Sequence, residues 1–413
     1  MQKNKLRNIH WFVIVGLFLM INSSCVEEYT PELNLDNNHF LVVDGKISNF
    51  PGPYTIKLSY SSSILDTLFI PVSSATISIS DDQGNTEILK EEDLGVYKTS
   101  ANGIQGVIGR SYKVNIHLDN GKDYESEFEQ LLNPIDVEDV YYKEEWQYAQ
   151  NESESDQEGF KFYVKTKVTN TSNVYFFWEV EETYEYHSVA NILYFYDGTI
   201  ISEGISNNFG LKPMENIYSL YHCWKTQTLA ENIIYSLENT NIQDIHQLPL
   251  HFVPYGDKRL RFGYNILLKQ YVISEKAYYF LNELKKQNEN QGSLFTTQPF
   301  QIRGNIFNSQ NPSEIVLGYF TVASGSYGPR IQVKAPWRRY EETICYTDTS
   351  LSSIQNRIIN SKIEDWPIYF TDFPFENPFV PNEFFYVFSY VAPTCLDCTK
   401  RGGYTHKPDF WQE

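Results

Sequence analysis

Alternation of apolar and polar side chains is the feature that most restricts the fold of this 413-residue chain. Residues 160–168 (FKFYVKTKV) place an apolar side chain at nearly every second position, and residues 174–186 continue with Phe176, Trp178 and Val180 on one face. A period of two predicts half-buried strands, because successive side chains of a strand point to opposite faces of its sheet. The aromatic content of 16% also favours pleated sheets. The chain is therefore expected to be mainly β.

Two β-rich regions are predicted. Residues 39–132 contain short strands with period two, such as 54–59 (YTIKLS) and 75–80 (ATISIS), separated by turn residues. This pattern is typical of a sandwich, and residues 95–97 with 109–116 resemble the end strands of immunoglobulin-like and transthyretin-like modules. Residues 133–413 are predicted to form a larger β-rich domain. It contains one substantial helix at 274–288, which Ser274 is placed to cap.

The start of the chain has the pattern of an export signal. Lys3, Lys5 and Arg7 precede the apolar run 11–21 (WFVIVGLFLMI), which is too short to span a bilayer as a helix. Small polar residues and then Cys25 follow, so residues 1–24 are predicted to be a signal peptide and Cys25 to carry a lipid. Residues 25–38 would then form a lipidated tether. The alternative is an ordinary secreted protein in which Cys25 stands there by coincidence.

The charge balance excludes some classes of partner. Without residues 1–24 the chain has 30 basic and 52 acidic residues, a net charge of −22. Binding of nucleic acid depends on Lys and Arg neutralising phosphates, so a nucleic-acid partner is not expected. Electrostatic binding to anionic lipid is disfavoured for the same reason, which leaves the acyl chain as the expected membrane contact.

Four further cysteines raise the question of disulfides. Cys223, Cys345, Cys395 and Cys398 form an even set, which in an exported protein favours disulfide bonds with three possible pairings. Cys395 and Cys398 have the spacing of a redox motif, but they lie near the C-terminus and not at the start of a helix in a thioredoxin-like unit. Structural disulfides are the preferred interpretation, with a four-cysteine zinc site and redox catalysis as alternatives.

No catalytic motif is recognisable. The chain contains no Gly-x-Ser-x-Gly, no His-Glu-x-x-His, no phosphate-binding loop and no paired-glycine dinucleotide turn. Among the histidines, His222 stands beside Cys223, and His406 is isolated. His246 and His251 are five residues apart and would not share a helical face. We therefore predict a non-enzymatic protein without a metal site or cofactor.

Aromatic residues are concentrated in residues 366–390 (WPIYFTDFPFENPFVPNEFFYVFSY). The four prolines of this segment limit pairing as a central strand before residue 383, so several rings are expected on loops, where ligand contacts are common. The rings could form an exposed surface for a protein or glycan. Alternatively, they could seal the two domains together. The candidate contact residues are Trp366, Tyr369, Phe373, Phe375 and Phe379.

Three segments carry a family resemblance: 259–284, 292–320 and 395–411 (CLDCTKRGGYTHKPDFW). Together they resemble a family of uncharacterised outer-membrane lipoproteins from Bacteroidota, classed as a domain of unknown function and often found alongside TonB-dependent receptors. The resemblance carries no catalytic residues. It implies that Glu27 and Glu28, directly after Cys25 and Val26, are similar to the acidic signal that sends such lipoproteins to the cell surface.

These observations lead to one preferred function and two alternatives. The preferred one is a lipid-anchored protein on the outer-membrane surface that captures a ligand for a TonB-dependent receptor or caps its barrel. A structural or adhesive surface protein is the first alternative, with residues 40–128 as a spacer. A glycan or peptide hydrolase that uses carboxylates of the C-terminal domain is the second.

Overall fold

The computed structural model describes residues 39–61, 70–149, 155–168, 173–198, 210–230, 233–238, 244–290, 302–334, 345–376 and 384–412. The chain divides into two units. In the smaller unit, Met1–His39 with Ser61–Phe69, only His39 and Ser61 are described, and Nδ1 of His39 lies 2.7 Å from the Ser61 carbonyl oxygen. The larger unit comprises Phe40–Tyr60 and Ile70–Glu413. The predicted signal peptide and tether, with Cys25, Glu27 and Glu28, lie outside the described residues.

The described part of the larger unit is mainly β, as the alternation predicts. Its strands are β1 (Leu41–Ser48), β2 (Thr55–Tyr60), β3 (Ile70–Pro71), β4 (Thr76–Asp81), β5 (Thr86–Ile88), β6 (Lys90–Asp93), β7 (Val96–Lys98), β8 (Ser111–His117), β9 (Asp123–Ser126), β10 (Glu129–Gln130), β11 (Val137–Gln147), β12 (Gln157–Lys167), β13 (Val174–His187), β14 (Tyr194–Tyr196), β15 (Lys212–Pro213), β16 (His222–Thr228), β17 (Ile233–Leu237), β18 (Asp244–Pro254), β19 (Tyr264–Ile273), β20 (Ile306–Asn308), β21 (Val316–Tyr327), β22 (Ile331–Val333), β23 (Thr347–Asp348), β24 (Ile368–Glu376) and β25 (Phe384–Val391).

The described part of the larger unit contains few helices. They are α1 (Glu275–Asn290), α2 (Leu351–Ile359) and α3 (Pro393–Leu396), together with short 3-10 helices at Lys258–Leu260, Ile363–Asp365 and Cys398–Arg401. The predicted helix is confirmed as α1, and Ser274 Oγ accepts a hydrogen bond from the backbone N–H of Ala277 at 3.1 Å. Across the described ranges, none of the helices has both the length and the apolar character needed to cross a bilayer.

Four sheets organise these strands. The largest has the order β16-β13-β19-β21-β1-β2-β7-β6, with β17, β22 and β3 added at its sides. Its strands pair antiparallel except β1 and β21, which run parallel from Leu41 opposite Val316 to Ser48 opposite Ala323. The second sheet has the order β20-β9-β8-β4-β5, the third β11-β12-β18, and the fourth β15-β14-β24-β25-β23.

The region 39–132 contributes strands to two sheets that share one core. Ile56 and Leu58 of β2 and Ile77 and Ile79 of β4 are fully buried in the same hydrophobic cluster. Phe320 of β21 completes this cluster, and β20 pairs with β9. Strands from much later in the chain thus help to cover the N-terminal core. The domain boundary at residue 132 stays a prediction.

A second core lies between the large sheet and the three-stranded sheet. Phe162 of β12 and Trp178 of β13 are fully buried there, as their positions in the alternating runs predict. Trp178 Nε1 donates to Gln270 Oε1 at 2.9 Å, so its polar group is satisfied inside the core. These contacts hold β13 in place, and its C-terminal end carries Glu185 and His187.

Candidate functional site

The four cysteines form two disulfide bonds. Cys223 is bonded to Cys398 with a Cα–Cα distance of 5.8 Å, and Cys345 to Cys395 with 6.2 Å. Structural disulfides were the preferred interpretation, and the pairing is one of the three that the sequence left open. Cys395 and Cys398 are not bonded to each other, so each is tied to a distant strand or loop. The Cys223–Cys398 bond holds the C-terminal segment against the start of β16.

Directly beside that bond, three metal-ligating side chains converge. Glu185 and His187 are two residues apart on β13 and therefore share a face, and the sheet register places His222 of β16 opposite His187. His187 Nε2 lies 2.8 Å from Glu185 Oε1 and 3.0 Å from His222 Nδ1. The third separation, from His222 Nδ1 to Glu185 Oε1, is 3.7 Å. The triad is defined here as Glu185, His187 and His222.

The surroundings hold the triad in place. The His187 ring stacks on Phe262 with ring centroids 3.6 Å apart, and Arg401 Nη2 donates to the His187 carbonyl oxygen at 2.6 Å. Arg401 belongs to the short helix that begins at Cys398, so the disulfide and this hydrogen bond act on the same segment. Burial by itself raises the pKa of Glu185, but the hydrogen bond from His187 and the proximity of both imidazoles lower that pKa overall.

The triad stands at the wall of a cavity of about 830 Å³, within the range of small-molecule sites. Its lining includes Glu185 and His222 of the triad together with Tyr218, Ser219, Trp224, Phe262, Lys334, Lys407 and Trp411. Two of these carry buried polar atoms, Ser219 Oγ and Trp224 Nε1, that have no hydrogen-bond partner in the described part of the chain. Trp224 is 8% exposed. The wall residues thus include two unpartnered hydrogen-bonding groups, each almost inaccessible to solvent.

A second cavity, of about 810 Å³, lies between β1, β21 and α1. Lys46 points into it, donates to Glu179 Oε1 at 2.5 Å and stands 4.1 Å from the centroid of the Tyr271 ring. Burial lowers the pKa of Lys46, although Glu179 opposes this effect. Its lining is largely apolar, with Phe177 and Leu281, and none of its described residues carries a buried polar side-chain atom without a partner, unlike the first cavity.

The aromatic residues that were predicted to form a contact surface on loops lie partly on a strand. Tyr369, Phe373 and Phe375 belong to strand β24 and not to a loop. Trp366 is half-buried, with Nε1 donating to Ser361 Oγ at 2.8 Å, and Tyr369 packs half-buried against a cluster that includes Cys395. Phe375 is also half-buried, whereas the side chain of Phe373 and the whole of Phe379 lie outside the described part of the structure.

The expectation that the rings of this segment lie on loops is wrong for residues 368–376, which form β24. β24 pairs with β25 from Phe370 to Glu376, with Pro374 opposite Tyr386. On its other side, β24 pairs with β14 only from Ile368 to Phe370. Pro374 thus stands where that other side is unpaired among the described residues, and proline is tolerated at such an edge position.

Sequence reasoning missed the triad. The only histidine pair considered was His246 and His251, which lie on β18. A weak signal was present, since Glu185 and His187 continue the alternating run of β13 on one face. His222, however, is 35 residues further along, and only the antiparallel pairing of β13 with β16 brings it opposite His187.

The comparison with known families adds a classification without an activity. The family described as "Domain of unknown function (DUF4249)" matches residues 26–326, more than half of the chain, so the chain belongs to this family. All three triad residues lie within the matched region, whereas Cys345, Cys395 and Cys398 lie beyond it. No curated protein matches this chain.

Proposed function

We propose that this member of the DUF4249 family is a lipid-anchored protein of the outer-membrane surface that captures a ligand for a TonB-dependent receptor. The sequence of residues 1–28 supports the anchor and the surface location, with Cys25 as the lipidated residue and Glu27 and Glu28 as the export signal. The acyl chains would hold the protein at the membrane without a spanning helix.

The observation that carries the capture role is the 830 Å³ cavity beside the triad. An uncompensated buried donor costs on the order of 1–3 kcal/mol, and Ser219 Oγ and Trp224 Nε1 both lie in this wall. A small movement of these side chains would present both donors to the acceptor oxygens of a ligand, which would recover that free energy on binding. Lys334 and Lys407, which also line the cavity, favour a ligand that carries negative charge.

Affinity purification tests the partnership. The full-length chain with a C-terminal tag is recovered from gently solubilised outer membranes, and we expect a TonB-dependent barrel protein to accompany it. The matched control is Cys25→Ala, which should lose both acylation and membrane recovery. Recovery of the acylated protein alone, without a barrel protein, contradicts the proposal.

Capture is tested separately in a double variant, Ser219→Ala with Trp224→Phe. Both substitutions remove a donor and keep most of the side-chain volume, so the fold and the receptor complex should be unchanged. Transport of the receptor's ligand should fall because the cavity wall no longer donates to it. Unchanged transport in cells that carry the double variant would remove this cavity from the mechanism.

A structural or adhesive role is the second candidate, and a different surface favours it. In the described part of the chain, β11 pairs only with β12, which makes it an edge strand. Tyr142, Trp146 and Tyr148, on this strand and directly after it, are all exposed. Aromatic side chains of this kind act as anchors at protein interfaces. Loss of attachment with intact transport in a Trp146→Ser, Tyr148→Ser variant would favour this candidate.

A further inference from the structure

We propose that Glu185, His187 and His222 bind a divalent transition-metal cation of the zinc type. The donor atoms are Oε1 of Glu185, Nε2 of His187 and Nδ1 of His222. They lie within 4.8 Å of one another in a group of three metal-ligating residues. This inference does not rest on the receptor partnership, because it concerns the isolated chain.

The separations of the donor atoms fit a tetrahedral site. Bonds of about 2.0–2.1 Å from zinc to its ligands place any two tetrahedral donors about 3.3–3.4 Å apart. The three measured separations are 2.8, 3.0 and 3.7 Å, which bracket that value. Shifts of a few tenths of an ångström, within reach of side-chain rotation, would place all three donors on one tetrahedral face.

Hydrogen bonding alone accounts poorly for these contacts. His187 Nε2 can carry one proton, yet it lies within hydrogen-bonding distance of both Glu185 Oε1 and His222 Nδ1. If this nitrogen donates its proton to the carboxylate, its contact with His222 can only be a bent hydrogen bond that shares the same proton. If it accepts from His222, its lone pair faces the carboxylate oxygen. A cation between the three atoms satisfies all of their lone pairs at once.

The type and mounting of the ligands indicate the class of cation. Two imidazoles with one carboxylate suit zinc, copper, iron or nickel, whereas calcium and magnesium prefer oxygen ligands. The strands that carry the ligands, β13 and β16, pair without interruption from Glu181 opposite Thr228 to His187 opposite His222. The Cys223–Cys398 bond follows His222 directly. His187 is further held by its stacking on Phe262. A rigid set of this kind needs little reorganisation to bind a metal.

A fourth coordination position would open toward the cavity, since Glu185 and His222 both line it. Three protein ligands and one open position are the arrangement in which a metal binds an exchangeable ligand. A bound cation would thus add positive charge to the wall that already carries Lys334 and Lys407. The site would select a small anion or a chelating group of a larger molecule.

Titration of the metal into the purified chain tests this site. The chain from residue 26 onward, with both disulfides formed and metal removed by chelation, is titrated with Zn²⁺ in a calorimeter and with Co²⁺ in a spectrophotometer. We expect one cation per chain and a tetrahedral Co²⁺ spectrum. Because loss of a group that only orients a ligand lowers metal affinity about 10–100-fold, His222→Asn and His187→Gln should each lower it at least about 100-fold.

The control is His246→Asn on β18, whose side chain is 69% exposed and which should leave the affinity unchanged. Circular dichroism and thermal unfolding establish that each variant folds. If a triad variant does not fold, histidine ring resonances of the native chain replace it, and only those of His187 and His222 should shift with Zn²⁺. Wild-type binding weaker than about 1 mM, unchanged affinity in both folded variants, or shifts at other histidines would overturn the proposal.

Discussion

Replacing Arg259 by Met tests the buried charge network that supports the end of β13. Glu182 is fully buried, and its Oε2 accepts hydrogen bonds from Arg259 Nη1 and Tyr264 OH, both at 2.6 Å. Its Oε1 accepts from Gln227 Nε2, also at 2.6 Å. The Met side chain keeps the apolar stem but removes the only cation among these partners, which leaves Glu182 as a buried charge without a counter-ion.

The magnitude follows from that burial. Breaking a buried pair by removing one partner costs about 3–5 kcal/mol in the free energy of unfolding. The Arg259 side chain is 22% exposed, so water weakens the pair and the lower end, about 3 kcal/mol, is expected. Lys276→Met is the matched control. Its partner is Glu127, and with 69% of the lysine side chain exposed the cost should stay below about 1 kcal/mol.

Urea unfolding of the disulfide-bonded chain, followed by tryptophan fluorescence, measures both variants. Trp178 is buried in the same hydrophobic cluster as Tyr264 and reports the unfolding of that core. A double variant, Arg259→Met with Glu182→Gln, should be more stable than Arg259→Met alone, because the uncompensated charge has gone. Equal costs for Arg259→Met and Lys276→Met, or a double variant less stable than the single one, would refute the reasoning.

Two further predictions concern crosslinks and backbone. Removing the Cys223–Cys398 bond, which closes a loop of 175 residues, should lower the free energy of unfolding by about 5 kcal/mol through chain entropy. Removing Cys345–Cys395, which closes 50 residues, should cost about 4 kcal/mol. The variant with both Cys223 and Cys398 replaced by Ala should therefore unfold at a lower urea concentration than the variant with both Cys345 and Cys395 replaced, and the reverse ranking would contradict the prediction. Gly318→Ala should destabilise by at least about 2 kcal/mol more than Gly84→Ala. Both glycines have φ near +90°, but a Cβ at Gly318 would lie 1.9 Å from the Val43 carbonyl oxygen, whereas the described residues leave open space at Gly84. Equal decreases of the unfolding temperature in the two variants would contradict this prediction.

Local patterns predicted the local structure well. The run 160–168 is a strand at Gln157–Lys167, the run 174–186 is a strand at Val174–His187, and the helix expected at 274–288 is found at Glu275–Asn290. In each case the pattern repeats over many residues, and burial of one face rewards that repeat. The segment 229–237, in which apolar residues run without a clear period, contains a strand at Ile233–Leu237.

Long-range pairing was not predictable in the same way. No residue in β1 or β21 signals that the two lie side by side, since both simply read as buried strands. The disulfide pairing, likewise, depends on where the C-terminal segment crosses β16. The immunoglobulin or transthyretin character of the N-terminal sandwich stays a prediction. So do the anchor at Cys25 and its orientation.

The triad shows the same limit at the level of a site. Glu185 and His187 share a strand face and could be paired from the sequence. His222 joins them only through the register of β13 and β16, because a slip of one residue would turn its side chain to the other face. A search for metal ligands by sequence spacing therefore could not include it.

The parallel pairing of β1 with β21 has a consequence for the order in which the protein can fold. Leu41 is made early, but its partner Val316 leaves the ribosome only after most of the chain has been made. Until then β1 has an open edge, and the core that Phe320 completes stays incomplete. Pairings between such distant segments form slowly. Stable closure of the N-terminal core therefore has to wait for residues 316–323.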